Sequence, residues 1–146
     1  MNRSNNRLYI EVESRTFYSK FKKYCSGLRL LNSEIFSLAL ALGYQSNIRK
    51  PLERKVGFIR YETISQELYS LMILIAIDEF GDDYSWINNP LDMFDIAEEY
   101  ANAGIRILMD LISDFDNDFD SFLIENILSA YEQIDFQSNF KHFQME

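Results

Sequence analysis

The hydrophobic and polar positions alternate strictly near the start of the chain and change to a helical period soon afterwards. Over residues 7–12, Leu8, Ile10 and Val12 share one side, which predicts a short, half-buried strand. Over residues 15–26, aromatic side chains recur every three to four positions and basic side chains occupy the opposite side. This period is typical of an amphipathic helix, so the chain is expected to open with a strand followed by a helix.

Two later segments are apolar on nearly every side. Residues 35–42 follow Asn32, a good N-cap residue, and stop at Gly43, so the pattern predicts a helix that ends at this glycine. The second segment is residues 66–80, for which the expected N-cap is Ser65, or Thr63 followed three residues later by Gln66. A helix without a polar face belongs in the middle of a core, and both segments are predicted to be core helices.

A basic loop, a second strand and two more helices complete the prediction. The loop covers residues 45–55, and the strand covers residues 56–62. The next helix begins at Asn89-Pro90 and runs to about residue 112. The last helix covers residues 118–134. The expected fold class is mainly α, a compact bundle of about five helices with one or two short β-strands.

Length and composition are those of one globular domain. The chain has 146 residues, of which 47% are hydrophobic and 25% are charged, as in ordinary soluble proteins. No repeat or linker interrupts it. A single helical domain over residues 1–146 is therefore expected, with a basic strand, helix and loop part (1–61), an acidic helical part (62–136) and a tail (137–146).

The net charge of −9 is divided unevenly along the chain. Residues 1–60 hold 12 Lys/Arg and 4 Asp/Glu, whereas residues 61–146 hold 2 and 19. The basic part predicts an anionic partner, which could be DNA, an acidic protein or the acidic part of a second copy in a homo-oligomer. Tyr9, Tyr18 and Tyr44 are candidates for stacking or hydrogen bonding beside it. The predicted binding residues are Arg15, Lys22, Lys23, Arg49, Lys50, Arg54, Lys55 and Arg60.

The chain contains few residues that carry chemistry. It has one cysteine, Cys25, and one histidine, His142, whereas a zinc site needs about four ligands and a redox motif needs paired cysteines. Cys25 is expected to be buried. Its five glycines are too widely spaced for a phosphate-binding loop. We therefore expect no enzyme, no catalytic residues, no resident metal and no cofactor.

Two further features bear on ligands and location. Residues 114–125 place carboxylates at positions 1, 3, 5 and 12 of a twelve-residue run, as in a calcium loop, but Phe119 stands where the sharp turn needs glycine. Calcium is therefore a minor alternative. No apolar run reaches the 18 or so residues that span a bilayer, and no signal peptide is evident. A cytoplasmic protein without a membrane partner is expected.

A DNA-binding alternative follows from the order of the first elements. Strand, helix, turn and helix over residues 7–43 also fit a ribbon-helix-helix dimer, in which outward strand side chains enter the major groove. These would be Arg7, Tyr9 and Glu11. Glu11 can only accept hydrogen bonds, so it could read a cytosine amine but would face phosphates poorly. Such modules also end near fifty residues, which leaves most of this chain unexplained.

Three stretches together resemble a known family. They are residues 33–44 (SEIFSLALALGY), 49–62 (RKPLERKVGFIRYE) and 96–108 (IAEEYANAGIRIL). In this order they resemble the small proteins associated with bacterial DNA phosphorothioation (Dnd) systems, in particular the fourth Dnd-associated protein. The resemblance spans about residues 30–112. Its matching positions are Gly43, Tyr44, Arg49, Lys50, Pro51, Leu52, Arg60, Glu62, Glu99, Tyr100, Ala101, Asn102 and Gly104.

The resemblance implies an accessory role in a DNA modification or anti-phage defence system. Such a protein would act through the larger enzymes of a modification or restriction system. In the adaptor hypothesis, the basic part contacts DNA or an acidic partner, and the acidic part engages a basic partner or repels DNA. The alternatives are a ribbon-helix-helix regulator and an interaction module that binds no nucleic acid. Tyr100 is expected in the core, and Gly104 at a close helix contact.

Overall fold

The computed structural model describes residues 6–114. By its contacts the chain divides into Met1–Leu111 and Ile112–Glu146, and the architecture given below is that of the first unit. The predicted helix over residues 118–134 lies outside the described residues. So does the acidic run that follows Asp114, which leaves the calcium alternative a prediction.

Four α-helices and a two-stranded antiparallel sheet form the described part of the chain. Three short 3₁₀ turns lie between these elements. The mainly helical fold class with a small sheet is confirmed. In chain order the elements are β1 (Arg7–Glu11), α1 (Ser14–Tyr24), α2 (Asn32–Gln45), β2 (Lys55–Arg60), α3 (Gln66–Phe80) and α4 (Leu91–Asp114).

Strand β1 pairs with β2, and alternate side chains of β1 enter the core. Leu8 and Ile10 are buried, as the alternating pattern predicts. The register shifts between Leu8 and Tyr9, so that β2 contributes the extra residue Phe58. The ring of Phe58 lies 4.6 Å from that of Tyr18, centroid to centroid. Tyr18 is only 2% exposed, so the prediction that it could stack on a ligand is wrong.

Helix α1 buries a face slightly rotated from the line of aromatic side chains that the sequence predicted to be apolar. Its most buried side chains are Ser14, Tyr18 and Phe21, and Cys25 follows directly after the helix. These positions are spaced by three or four residues, so they form one stripe along the helix. Cys25 is fully buried, as expected for a small apolar side chain.

Helices α2 and α4 cross with their backbones in contact. A Cβ added to Gly43 would lie 2.0 Å from the carbonyl oxygen of Tyr100, and one added to Gly104 would lie 1.6 Å from that of Ala39. The close packing predicted at Gly104 is confirmed. The predicted end of α2 at Gly43 is wrong, because this glycine serves the helix contact and α2 continues to Gln45.

The helix starts are partly as predicted. The hydroxyl of Ser65 accepts a hydrogen bond from the backbone N–H of Leu68 at 3.1 Å, which confirms the N-cap of α3. Helix α4 begins at Leu91, within a residue of the predicted start. Asn32 is not the cap of α2: Leu31 holds that position, and its N–H donates to the Glu34 carboxylate at 3.1 Å.

Helix α3 is not surrounded by the core. Leu68, Met72 and Ile75 are buried, but Leu74 is 64% exposed and Ile77 is 48% exposed. The prediction that residues 66–80 form a core helix therefore holds for one side of α3 and fails for the other. An apolar composition does not by itself decide which side of a helix finds a neighbour.

Candidate nucleic-acid interface

The basic loop between α2 and β2, residues 46–54, is held at its centre by α4. The N–H of Lys50 donates to the carbonyl of Glu99 at 3.1 Å, and the side-chain amide of Asn102 donates to the carbonyl of Lys50 at 3.0 Å. Asn102 is only 4% exposed. Because both bonds reach the same residue of the loop, the path of the backbone at Lys50 is fixed while its side chain is left to face outward.

The end of the loop is held by Glu11 of β1. One carboxylate oxygen accepts from the N–H of Glu53 at 2.8 Å, and the other accepts from the N–H of Arg54 at 2.9 Å. Glu11 is only 8% exposed, and a carboxylate that accepts two backbone N–H bonds is a strong anchor. The turn that leads Arg54 and Lys55 into β2 is therefore built around this buried acid.

Arg49 lies in a cluster of opposite charges. Its guanidinium is 3.5 Å from a carboxylate oxygen of Glu79 and 3.4 Å from one of Glu99. It also lies over the ring of Tyr100, 5.7 Å from the centroid. These contacts offset the positive charge of Arg49 inside the protein. An open cavity of about 270 Å³ beside the cluster is also lined by Asp92 and Asp95.

Two tyrosines complete this cluster. The hydroxyl of Tyr44 donates to Asp78, and that of Tyr100 donates to Glu79; the two rings meet edge to face at 5.5 Å. The hydrogen bond to Asp78 raises the pKa of Tyr44 to about 12. Burial, followed by the hydrogen bond to Glu79, raises the pKa of Tyr100 to about 12. Tyr100 is 1% exposed, which confirms its core position.

Alkaline titration should reveal these two phenols. Their pKa values are raised above the usual 10.0, so their contribution to stability is present below pH 10 and is lost as the pH rises towards 12. In a phenolate absorbance titration, Tyr100→Phe should remove a component with a midpoint near 12. Tyr84→Phe, at a residue that is 58% exposed, should leave that component in place. If Tyr100→Phe instead removed an absorbance component with a midpoint near pH 10, the result would contradict the buried, hydrogen-bonded position of the Tyr100 hydroxyl.

A groove along α1 gathers three cationic side chains. It is a shallow, open depression of about 380 Å³, lined by Arg15, Thr16, Ser19, Lys20 and Lys23, positions that share one side of a helix. Its three cationic residues are exposed. Within the part of the chain that the structure describes, none of the three forms an ion pair. The groove therefore combines positive charge with the hydroxyl of Ser19.

The predicted binding residues fall into three places. Arg15 and Lys23 meet in the α1 groove, and Lys22 is half-buried on the same helix. Lys55 and Arg60 stand at opposite ends of β2, where they face Glu11 and Arg7 across the sheet. The remaining three predicted binding residues lie on the loop: Arg49 in the charged cluster, and Lys50 and Arg54 on the anchored backbone. The structure therefore brings together the cations of α1, and it places the loop and strand cations separately.

Sequence reasoning missed some residues of this surface. Lys20 lines the groove with Arg15 and Lys23, and the helical spacing of these positions was sufficient to find it. The anchors Glu11 and Asn102 gave no such signal, because their partners are 42 and 52 residues away along the chain. Long-range hydrogen bonds of this kind leave no periodic pattern.

The geometry of β1 does not favour a ribbon-helix-helix dimer. In such a dimer β1 would pair with its counterpart in a second chain. Here β1 pairs with β2 of the same chain, and the N–H of Tyr9 donates to the Glu98 carboxylate at 2.7 Å. Glu11 is engaged by the loop and cannot read a base.

The fold and the site define a class of protein. It is a small, mainly helical domain that holds a basic loop in place and presents a cationic groove. Across residues 6–114, no helix has both the length and the apolar run needed to cross a membrane. In the same span, no group of three or more His, Cys, Asp or Glu side chains is placed to hold a metal ion.

The chain belongs to the family described as DNA sulphur modification system-associated protein 4, whose model matches residues 24–144. This confirms the resemblance drawn from the three sequence stretches. The match is longer than the predicted span of 30–112, so the acidic run from Asp114 onward is part of the family match rather than an addition to it. No curated protein and no solved structure matches the chain significantly.

The three stretches that carry the resemblance meet in space. The end of α2 contacts α4 at Gly43 and Tyr44, and the loop is bonded to α4 through Glu99 and Asn102. Segments that are separate in sequence thus form one packed unit around the middle of α4. This unit positions the basic loop and lies next to the charged cluster of Arg49.

Proposed function

We propose that this protein is a non-enzymatic accessory of a DNA sulphur modification system and that it contacts duplex DNA through the basic groove of α1. Family membership supports the association with such a system. The observation that carries the DNA contact is the groove itself, where Arg15, Lys20 and Lys23 converge without an ion pair among the described residues.

The spacing of the groove suits a phosphate backbone. Arg15 and Lys23 are eight residues apart in α1, about 12 Å along the helix axis. Phosphates of one DNA strand follow one another every 3.4 Å of rise along the duplex axis, so a groove parallel to that axis spans about three or four nucleotides. Ser19 supplies a hydroxyl of the kind that bonds phosphate oxygens, whereas the hydroxyl of Thr16 donates to the carbonyl of Glu13 at 2.8 Å. These contacts carry no sequence information, so the expected binding is not sequence-specific.

The overall acidity of the protein is compatible with this contact. Most of the negative charge belongs to residues 61–146, whereas α1 belongs to the basic part of the chain. Acidic surfaces elsewhere would repel DNA and restrict its approach to the groove. The absence of a catalytic role is proposed from the inventory of the sequence, which has one histidine and one cysteine, the latter fully buried.

Salt-dependent binding to a labelled duplex tests the proposal. Three phosphate contacts predict a slope of about −2.7 in a plot of log affinity against log salt, or roughly a 40-fold loss of affinity between 50 and 200 mM salt. Reversing all three groove charges, as Arg15→Glu, Lys20→Glu and Lys23→Glu together, should abolish binding at the lower salt. Fluorescence anisotropy measures both quantities.

A matched pair of single variants controls for net charge. Lys20→Glu changes a cation of the groove, and Arg29→Glu makes the same change at an exposed residue on the turn after α1. Lys20→Glu should weaken binding much more than Arg29→Glu. Equal effects, or no binding by the wild-type protein at 50 mM salt, would reject a DNA contact at this groove and favour an interaction module that binds only proteins.

A further inference from the structure

The exposed side of α3 is apolar, and α3 itself contains no lysine or arginine. Leu74, Ile77 and Tyr69 are 64%, 48% and 42% exposed, and their positions place them on one side of the helix. Large apolar side chains that are grouped in this way mark an interaction surface more often than isolated ones do. We call Leu74, Ile77 and Tyr69 the α3 face.

Acidic residues lie at both ends of this face. Residues 61–105 contain ten Asp or Glu and no Lys or Arg. Glu67 lies near the start of α3, and Asp82 and Asp83 follow its end; all three are exposed. A protein segment that covers the α3 face must therefore supply apolar side chains in the centre and positive charge around them. Opposite charges at the rim of an interface select the partner and increase the rate of association.

From this complementarity we propose that the α3 face docks a basic amphipathic helix of another protein. Such a helix would present apolar residues at positions i, i+3 or i+4, and i+7, flanked by lysine or arginine. The proposal goes beyond the DNA contact, because it uses the opposite kind of charge and none of the groove residues. It gives the acidic part of the chain a function of its own.

A second copy of this chain fits the face less well. Two α3 faces packed against each other would bring Glu67 and Asp82 of both copies together, and like charges oppose such a contact. The α1 groove of a second copy would supply cations, but its lining is Arg, Lys, Ser and Thr, so it has no apolar residue to cover Leu74. A basic helix from a different protein satisfies both requirements.

A designed peptide provides the probe. It is a helix of about 20 residues with leucines along one side and lysines on both flanks; a scrambled peptide of the same composition and a peptide with glutamate in place of lysine serve as references. The wild-type full-length protein should bind the designed peptide in calorimetric titration, and both references should bind at least tenfold more weakly. Equal binding of the scrambled peptide would overturn the proposal.

Substitutions in the face locate the binding. Leu74→Gln and Ile77→Gln should each weaken peptide binding at least about tenfold, since each removes an apolar anchor. Leu31→Gln is the matched control, because Leu31 is 63% exposed and lies outside the face. Affinity of Leu74→Gln for the DNA duplex should be unchanged, which separates this proposal from the groove. Unaltered peptide binding by both face variants, or wild-type dimers that dissociate on Leu74→Gln, would refute it.

Discussion

Replacing Gly104 with alanine is expected to destabilise the protein by about 3 kcal/mol. The new Cβ would lie 1.6 Å from the carbonyl oxygen of Ala39 and 2.5 Å from its carbonyl carbon, and both atoms belong to the backbone of α2. The contact can be relieved only if α2 and α4 move apart. Overpacking of this kind usually costs 1–3 kcal/mol, and a rigid backbone neighbour places this site at the upper end.

The sign of this effect distinguishes the close contact from an ordinary helix position. In an exposed helix, changing glycine to alanine stabilises by up to about 1 kcal/mol. Urea unfolding followed by circular dichroism measures the difference, and the melting temperature should fall by roughly 10 °C. Gly27→Ala is the control, because nothing lies within 4 Å of its added Cβ, and it should change stability by less than about 0.5 kcal/mol. A stabilised Gly104→Ala variant would contradict the α2–α4 contact.

Replacing Glu11 with alanine is expected to cost about 3–6 kcal/mol and to loosen the end of the basic loop. The change removes the acceptor of two backbone N–H groups, those of Glu53 and Arg54. Hydrogen bonds to charged groups contribute about 1.5–3 kcal/mol each, and unsatisfied donors add to the loss. Hydrogen exchange at these two amides should become much faster, while the centre of the loop remains bonded to α4.

Two variants separate the hydrogen bonds of Glu11 from its charge. Glu11→Gln keeps one acceptor oxygen, so its loss of stability should lie between those of wild type and Glu11→Ala. Glu53→Gln makes the same change of charge in the same turn, at an exposed residue with no side-chain hydrogen bond or ion pair among the described residues. It should leave stability and exchange nearly unchanged. If Glu53→Gln lowers stability as much as Glu11→Gln, charge rather than hydrogen bonding is responsible.

The elements that sequence predicted well are those with a local cause. Alternation of Leu8 and Ile10 predicted β1, and the Ser65 cap predicted the start of α3 because a hydroxyl three residues before a backbone N–H can satisfy it. Gly43 misled the prediction. Glycine commonly ends helices, but here it allows α4 to approach, and no neighbour in sequence indicates that use.

The candidate site was predicted only in part, because only its helical residues are brought together by a local cause. Arg15 and Lys23 share a helix side with Lys20, so their convergence is a consequence of helical spacing. Arg49 was predicted to bind a partner, and the structure shows that Glu79 and Glu99 already contact it. These acids lie 30 and 50 residues away, so only the packing of α3 and α4 could place them beside it.

The sequence by itself determined the helical class, the family and the division of charge, because periodicity, motifs and charge are properties of the chain. The tertiary structure alone decided which charges remain uncompensated. Arg49 on the loop is contacted by acids from distant segments, whereas Arg15, Lys20 and Lys23 of α1 form no ion pair among the described residues. The tertiary structure also decided that the apolar helix α3 has one exposed side, since burial depends on which elements pack together.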